Sequence, residues 1–323
     1  MSLAEYRRKR RFDKTREPEP GKAAPAGYPG DDMRLTHPER VVFADRGTRK
    51  RDVADYYLVV MAWLLPEIIN RPLSIIRCTQ GIEKACFFQK HHTAGLSLVD
   101  AVPIEEESGE KADYLVVRNA EALMELVQFN ALEFHPWGST AEQPDCADRI
   151  VFDLDPGPGV TWPEIVAAAR RIRSLLDELS LESFVRTSGG KGLHVVVPLN
   201  PGCPWSMVKP FARAFAESLA AGEPARYVAT ATKAERKGRI FLDYLRNGRG
   251  ATSVASYSLR ARAGAPVAVP LSWDELGKVK RADAFDIDSL PARLAKLKAD
   301  PWARIDEVRQ NLDSIGALLA HEA

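Results

Sequence analysis

Residues Ile150-Val151-Phe152-Asp153-Leu154-Asp155 form an apolar run that ends in two acids and is cut off at once by Pro156-Gly157-Pro158-Gly159. Such a run, bounded by a Pro/Gly turn, reads as a strand, and side chains two apart on a strand share a face. Asp153 and Asp155 therefore project together, while Phe152 and Leu154 point the other way into a core. Two carboxylates this close repel unless a cation lies between them. A hard divalent ion such as Mg²⁺ or Mn²⁺ meets that need, because it takes oxygen ligands and holds substrate phosphates. A pair of solvated turn residues is the plainer alternative. The pair makes phosphoryl or nucleotidyl transfer the first chemistry to consider.

With 323 residues, 45% of them hydrophobic, the chain can form one large domain or two modest ones. The net charge of +1 names no partner, but its distribution is uneven. Nine Lys/Arg face two acids, Glu235 and Asp243, between Arg226 and Arg262, and the first thirty residues hold eight basic side chains. Two such clusters suit a polyanion. Cys78, Cys86, Cys146 and Cys203 have no C-x-x-C spacing, and His91-His92 lacks cysteines at ligand distance, so reduced thiols and no zinc site are expected. No leader is recognisable, and the longest apolar stretch, 56–65, is too short to span a bilayer. A cytoplasmic protein with no membrane partner is the expectation.

Residues 1–30, rich in Pro, Gly and charge, read as a flexible basic arm. A helix is predicted over 52–70, and strands over 73–78 and 85–90 form a hairpin-like unit. A strand at 112–118 precedes a helix at 120–130 capped by Asn119. After the Asp153–Asp155 strand, Thr161 caps a long helix with Pro163 in its first turn. Strands at 183–186 and 193–199 flank a Gly-rich turn, a helix at 204–221 ends at Gly222, and a strand covers 239–245. Helices at 288–298 and 302–320 close the chain. Without a strict β-α-β rhythm, the pattern argues for an α+β fold.

Three further features bear on chemistry. Asp243 lies in the apolar run Ile240–Leu245, where a carboxylate needs a partner: an arginine, backbone donors or a metal. With Asp153 and Asp155 it completes the carboxylate set of a two-metal site. Ser188-Gly189-Gly190-Lys191-Gly192-Leu193-His194 combines three glycines that let backbone N–H groups approach an anion with a hydroxyl, a cation and a histidine. It fits no Walker A frame, and a plain hairpin turn also accounts for it. Arg246, three residues after Asp243, and Arg260 offer guanidinium donors for phosphate.

The segments 151–156, 187–195 and 241–247 resemble the three motifs of the polymerase domain of bacterial DNA ligase D. That family belongs to the archaeo-eukaryotic primase superfamily and serves non-homologous end joining. Thr36-His37-Pro38-Glu39-Arg40, Cys86–His91 and Glu133–Ser139 extend the likeness over roughly 30–300. The resemblance implies a primase-like α+β domain over 31–300, in which two small β-sheets flanked by helices form the active cleft, with a C-terminal helix at 301–323 packed on it. It implies two ions, Mn²⁺ or Mg²⁺, on Asp153, Asp155 and Asp243. Ser188, Lys191, His194, Arg246 and Arg260 would hold the triphosphate, and His135 would face the sugar. Phe87 and Phe88 would offer a stacking platform, core packing being the alternative. His37, Arg40 and Lys50 would form a pocket for a DNA 5′-phosphate.

Two departures stand out. No K-x-D-G nucleotidyl-lysine motif occurs, so ligase activity is not expected. Residues 3–18 resemble the opening of the same family's 3′-phosphoesterase domain, whose remainder is absent. The implied activity is metal-dependent extension or gap filling of DNA ends with NTPs or dNTPs, ribonucleotides preferred, on gapped duplex carrying a 5′-phosphate. The implied partners are Ku and a separate DNA ligase at the bacterial nucleoid. A non-catalytic end-binding module and a metal-dependent nuclease are the rival readings.

Overall fold

The computed structural model describes residues 35–106 and 108–312. The expected basic arm over 1–30 and the end of the expected C-terminal helix lie outside them. The described residues divide into two compact units. One takes 35–135 with Ala255–Pro266 and Asp286–Ala299; the other takes Pro136–Val254 with Val267–Phe285 and 300–312.

In the first unit β1 (Val41–Phe43) and β2 (Thr48–Arg49) pair and lead into α1 (Lys50–Ile68). Asp52 Oδ2 accepts the Arg49 N–H at 2.7 Å and closes the helix start. Val53, Tyr57, Val60, Leu64 and Ile68 bury one face of the helix at the three-to-four-residue spacing that period demands. A five-stranded sheet follows, from β3 (Pro72–Arg77), β4 (Phe87–Gln89), β5 (Asp100–Glu105) and β6 (Lys111–Val116) in the order β4-β3-β6-β5. After α2 (Ala120–Gln128), capped by Asn119 as expected, β7 (Ala131–Pro136) also pairs with β3.

The hairpin of β3 and β4 corrects the reading of the cysteines. Arg77 pairs with Phe87, so the next residues along, Cys78 and Cys86, come face to face and form a disulfide with Cα atoms 4.4 Å apart. Linear spacing hides this pairing, because antiparallel register and not sequence distance brings the two together.

The second unit is built on β8 (Cys146–Pro156), the strand of the two acids. It is followed by α3 (Trp162–Glu178), β9 (Phe184–Thr187), β10 (Leu193–Pro204), α4 (Trp205–Gly222), β11 (Tyr227–Val228), β12 (Ile240–Asp243) and β13 (Val269–Leu271). Thr161 precedes α3 as predicted, and Glu164 reaches back to its N–H at 2.7 Å. The sheet order is β11-β12-β8-β10-β9-β13, antiparallel except for β11 with β12. Phe152 and Leu154 are fully buried on one face, where Phe152 packs on Phe215 of α4 with ring centroids 4.8 Å apart. The opposite face holds Val151, Phe184, Val196 and Trp302 as an apolar cluster at one end, and Asp153 and Asp155 beyond it.

Two expectations change at the chain's end. A helix occupies Ser289–Leu294, shorter than predicted, and residues 301–307 form turns where the last helix was expected to begin. Asp300 Oδ1 accepts the Trp302 N–H at 2.7 Å, and the Trp302 indole donates to the Val185 carbonyl at 3.0 Å. Seating that large ring on the sheet replaces helix continuation.

Candidate active site

Sheet register assembles the centre of the site. Asp243 of β12 pairs with Asp153 of β8, Asp153 with His194 of β10, and His194 with Arg186 of β9. One rung across four strands thus reads Asp-Asp-His-Arg on a single face, because directly opposed residues in an antiparallel sheet share a face. Asp155 lies two residues along β8, opposite Phe241. All three predicted acids are therefore brought together, with His194 beside them. Asp243 stands at the end of β12, not inside a longer strand: its Oδ1 accepts the Leu245 N–H at 2.8 Å and turns the chain.

Arginines face these acids. Arg246 Nε lies 3.3 Å from Asp153 Oδ2 and 3.3 Å from Asp243 Oδ2. Arg236 Nη1 lies 3.4 Å from Asp155 Oδ2, its guanidinium 3.9 Å from the centre of the Phe241 ring. His194 Nε2 is 3.5 Å from Asp153 Oδ1. Burial pushes the Asp243 carboxyl above its ordinary value, against the pull of Arg246 and the Leu245 N–H. Asn247 holds the loop that carries Arg246: its side chain accepts the Val151 N–H at 2.7 Å and donates to the Val151 carbonyl at 2.8 Å.

Among the described residues no three His, Cys, Asp or Glu side chains form a ready-made metal cage. The donor set still suits a hard divalent cation. It consists of three carboxylates on neighbouring positions of two paired strands, with no soft ligand among them.

Arg186 defines the state of His194. Its Nε–H donates to His194 Nδ1 at 3.2 Å, and a guanidinium has no acceptor, so Nδ1 is the unprotonated nitrogen. Nε2 then carries the proton and faces the acids. The Gly-rich turn lies just before His194. Ser188 Oγ donates to the Gly192 carbonyl at 3.0 Å and accepts the Gly190 N–H at 3.2 Å, so this hydroxyl shapes the turn itself. Lys191 is exposed. A Cβ on Gly192 would lie 1.9 Å from the Leu154 carbonyl oxygen, so only glycine lets the turn run against β8 between the two acids.

The remaining predicted residues belong to the first unit. His135 and Arg260 meet at one carboxylate, Glu133, whose Oε2 takes His135 Nε2 at 2.8 Å and Arg260 Nε at 2.9 Å. Phe87 and Phe88 are 43% and 57% exposed on β4, which disfavours the core alternative, and the Arg77 guanidinium lies 5.0 Å from the centre of the Phe87 ring. His37, Arg40 and Lys50 are gathered by backbone bonds: Arg40 N–H donates to the His37 carbonyl at 3.0 Å and Lys50 N–H to the Arg40 carbonyl at 2.8 Å. Lys50 is buried, and its ammonium donates to the Gln128 carbonyl at 2.6 Å. Burial, aided by the Arg40 charge, lowers the Lys50 amine to about 8.

Sequence reasoning left four of these residues without a role: Arg186, Arg236, Asn247 and Glu133. Glu133 carried a legible signal, an acid two residues before a histidine on an apolar strand. Arg186 depends on cross-strand register and Arg236 on a turn before β12, so neither offered one, while Asn247 lies within the 241–247 segment but its bonds to Val151 could not be read from it.

Comparisons with known proteins give the family and the fold. The family model "LigD, primase-polymerase domain" matches residues 49–302. The multifunctional non-homologous end joining protein LigD of Pseudomonas aeruginosa is 39% identical over 296 residues, 91% of this chain and 34% of the relative. The chain belongs to the LigD primase-polymerase family. The LigD protein of Mycolicibacterium smegmatis is 35% identical over 294 residues, 89% of this chain and 36% of the relative. This LigD-type chain thus spans about a third of the curated relatives' length. The polymerase domain of Mycobacterium tuberculosis ligase D, solved in complex with DNA, superposes with a TM-score of 0.77 at 31% identity. That match covers 85% of this chain and 98% of the other. The α+β, primase-like fold is therefore established, and no helix among the described residues is long and apolar enough to cross a membrane.

Proposed function

We propose that this chain is a metal-dependent nucleotidyltransferase that extends DNA ends or fills short gaps in non-homologous end joining, with ribonucleotides preferred. The observation that carries the reading is the rung Asp243–Asp153–His194, with Asp155 and the Gly192 turn beside it. The role of the LigD relatives in non-homologous end joining and the DNA bound in the M. tuberculosis structure support the biological setting.

Two divalent ions, Mn²⁺ or Mg²⁺, bound by Asp153, Asp155 and Asp243 would lower the pKa of the attacking 3′-hydroxyl and shield the leaving pyrophosphate. The chain's own residues do the positioning. His194, fixed by Arg186 with its proton on Nε2, donates to a triphosphate oxygen. Arg246 and Lys191 would turn positive charge toward the triphosphate, Lys191 from the rim. His135 and Arg260 contact the sugar and triphosphate, and Phe87 and Phe88 stack on a base. His37, Arg40 and Lys50 receive the 5′-phosphate across a gap. Ku and a separate ligase are the partners this role calls for.

The deciding experiment is extension of a gapped duplex carrying a 5′-phosphate, with NTPs and dNTPs in Mn²⁺ and Mg²⁺. Template-directed addition with a preference for NTPs is the expected result. Degradation of the primer, or DNA binding with no addition under any of these conditions, would overturn the reading in favour of a nuclease or a binding module.

A further inference from the structure

Glu133 lies on β7 and is 3% exposed. An ionised carboxylate so deeply buried is costly unless several donors compensate it. Three do. Oε2 takes His135 Nε2 at 2.8 Å and Arg260 Nε at 2.9 Å, and Oε1 takes the Ala261 N–H at 2.7 Å. Burial pushes this carboxyl upward, but the donors outweigh it and hold it at about 2, so it is ionised at any working pH.

The geometry has a consequence for the two donors. His135 and Arg260 are 125 residues apart in sequence, yet both lean on the same oxygen atom. A shift of that oxygen moves the imidazole and the guanidinium together. We propose that Glu133 is a positioning residue that sets His135 and Arg260 as one unit, so that sugar selection and triphosphate binding are coupled through a single carboxylate. This rests on the reading of His135 and Arg260 as nucleotide contacts. A glutamate that merely stitched β7 to the 255–266 segment would lower stability without touching the preference between ATP and dATP.

The test measures equilibrium binding of ATP and dATP, with Mn²⁺, to the full chain and to E133Q, H135A, R260A and the double variant E133Q/H135A. Glutamine keeps the shape but turns an amide N–H₂ toward one of the donors. Loss of a charged hydrogen-bond acceptor predicts roughly tenfold weaker ATP binding in E133Q, with the ATP-over-dATP ratio collapsing toward one. Adding H135A to E133Q then changes the ratio little further, because the histidine has already lost its orientation. A wild-type ratio in E133Q, or effects of E133Q and H135A that simply multiply, would overturn the proposal while leaving the nucleotide pocket in place. If H135A and R260A alone bind ATP as the wild type does, the pocket reading itself falls. Should E133Q not fold, E133D keeps the charge but draws the oxygen back by one methylene. It is expected to lower the same ratio, and a wild-type ratio there would equally overturn the proposal.

Discussion

Each unit places carboxylates on its strands, and the two treat them in opposite ways. In the first, Glu133 is matched by three donors at 2.7–2.9 Å, and its carboxyl is carried down to about 2. In the second, Asp153, Asp155 and Asp243 meet Arg246, Arg236 and His194 at 3.3–3.5 Å, and burial pushes Asp243 up. Close donors at fixed geometry mark an acid that anchors its neighbours. Longer contacts from arginine side chains leave room, on the proposed reading, for a cation to complete the compensation. The same residue chemistry thus serves as scaffold in one place and, on that reading, as an ion site in the other.

The largest effect should come from removing an acid of the second kind. Asp153→Ala is expected to lower nucleotide addition by roughly a thousandfold, the rate equivalent of the several kcal/mol a bound metal contributes. DNA binding and the urea unfolding midpoint should survive, since the change also relieves repulsion between neighbouring carboxylates. Extension at near wild-type rate would erase the distinction between the two sets of acids.

Glu133→Ala should lower stability as well as nucleotide binding. Truncation removes the carboxylate shared by a half-buried guanidinium, an imidazole and an amide, a loss expected to cost about 3 kcal/mol of stability. The pH dependence has a definite sign. A carboxyl whose folded pKa falls from 4.5 to about 2 contributes stability that is complete above the unfolded value and is lost as pH drops from 4.5 toward 2. The unfolding midpoints of wild type and E133Q should therefore converge through that window and stay a constant distance apart above it. A gap that does not narrow on acidification would mean that Glu133 is not the ionised anchor described above.

Asn247 sharpens the comparison from the side of the loop. Its amide completes the backbone pairing of Val151, two residues before Asp153, at 2.7 and 2.8 Å. Asn247→Ala leaves that buried N–H and carbonyl unpaired, at about 1–3 kcal/mol for each unsatisfied group. Because the same loop bears Arg246, the variant should also raise KM for the nucleotide. A drop in the unfolding midpoint with KM unchanged would separate the loop's structural duty from substrate binding.

Much of this was legible in the sequence, for reasons that can be named. The alternation Phe152-Asp153-Leu154-Asp155 fixed which side chains face the core, and Asn119 and Thr161 marked helix starts. Edge strands were harder: Asp100–Glu105 carries no clean apolar alternation, and Val269–Leu271 is too short to show any. Long-range pairing was beyond reach. Neither the Cys78–Cys86 disulfide nor the contact of Arg186 with His194 leaves a trace in local pattern, because each arises from strand register. The helix expected from 302 failed because a buried Trp302 ring, not helical periodicity, decides that segment.

The smallest effect concerns Lys50, which belongs to neither set of acids but obeys the same rule with opposite sign. Burial lowers its amine to about 8, with Arg40 adding repulsion, so the unliganded group begins to lose its proton just above neutral pH. An unfolded lysine keeps its proton to 10.5, so the unfolded chain binds more protons between 8 and 10.5 and this lysine's contribution to stability rises with pH across that window. A bound phosphate would restore the proton. Preference for a 5′-phosphorylated over a 5′-hydroxyl gap should therefore hold below pH 8 and weaken above it, by at most about tenfold per pH unit. Comparing the two duplexes from pH 7 to 9.5, with Lys50→Arg as the variant whose charge does not titrate, separates this term from general screening. A preference that stays flat in the wild type, or declines equally in Lys50→Arg, would move the 5′-phosphate away from Lys50.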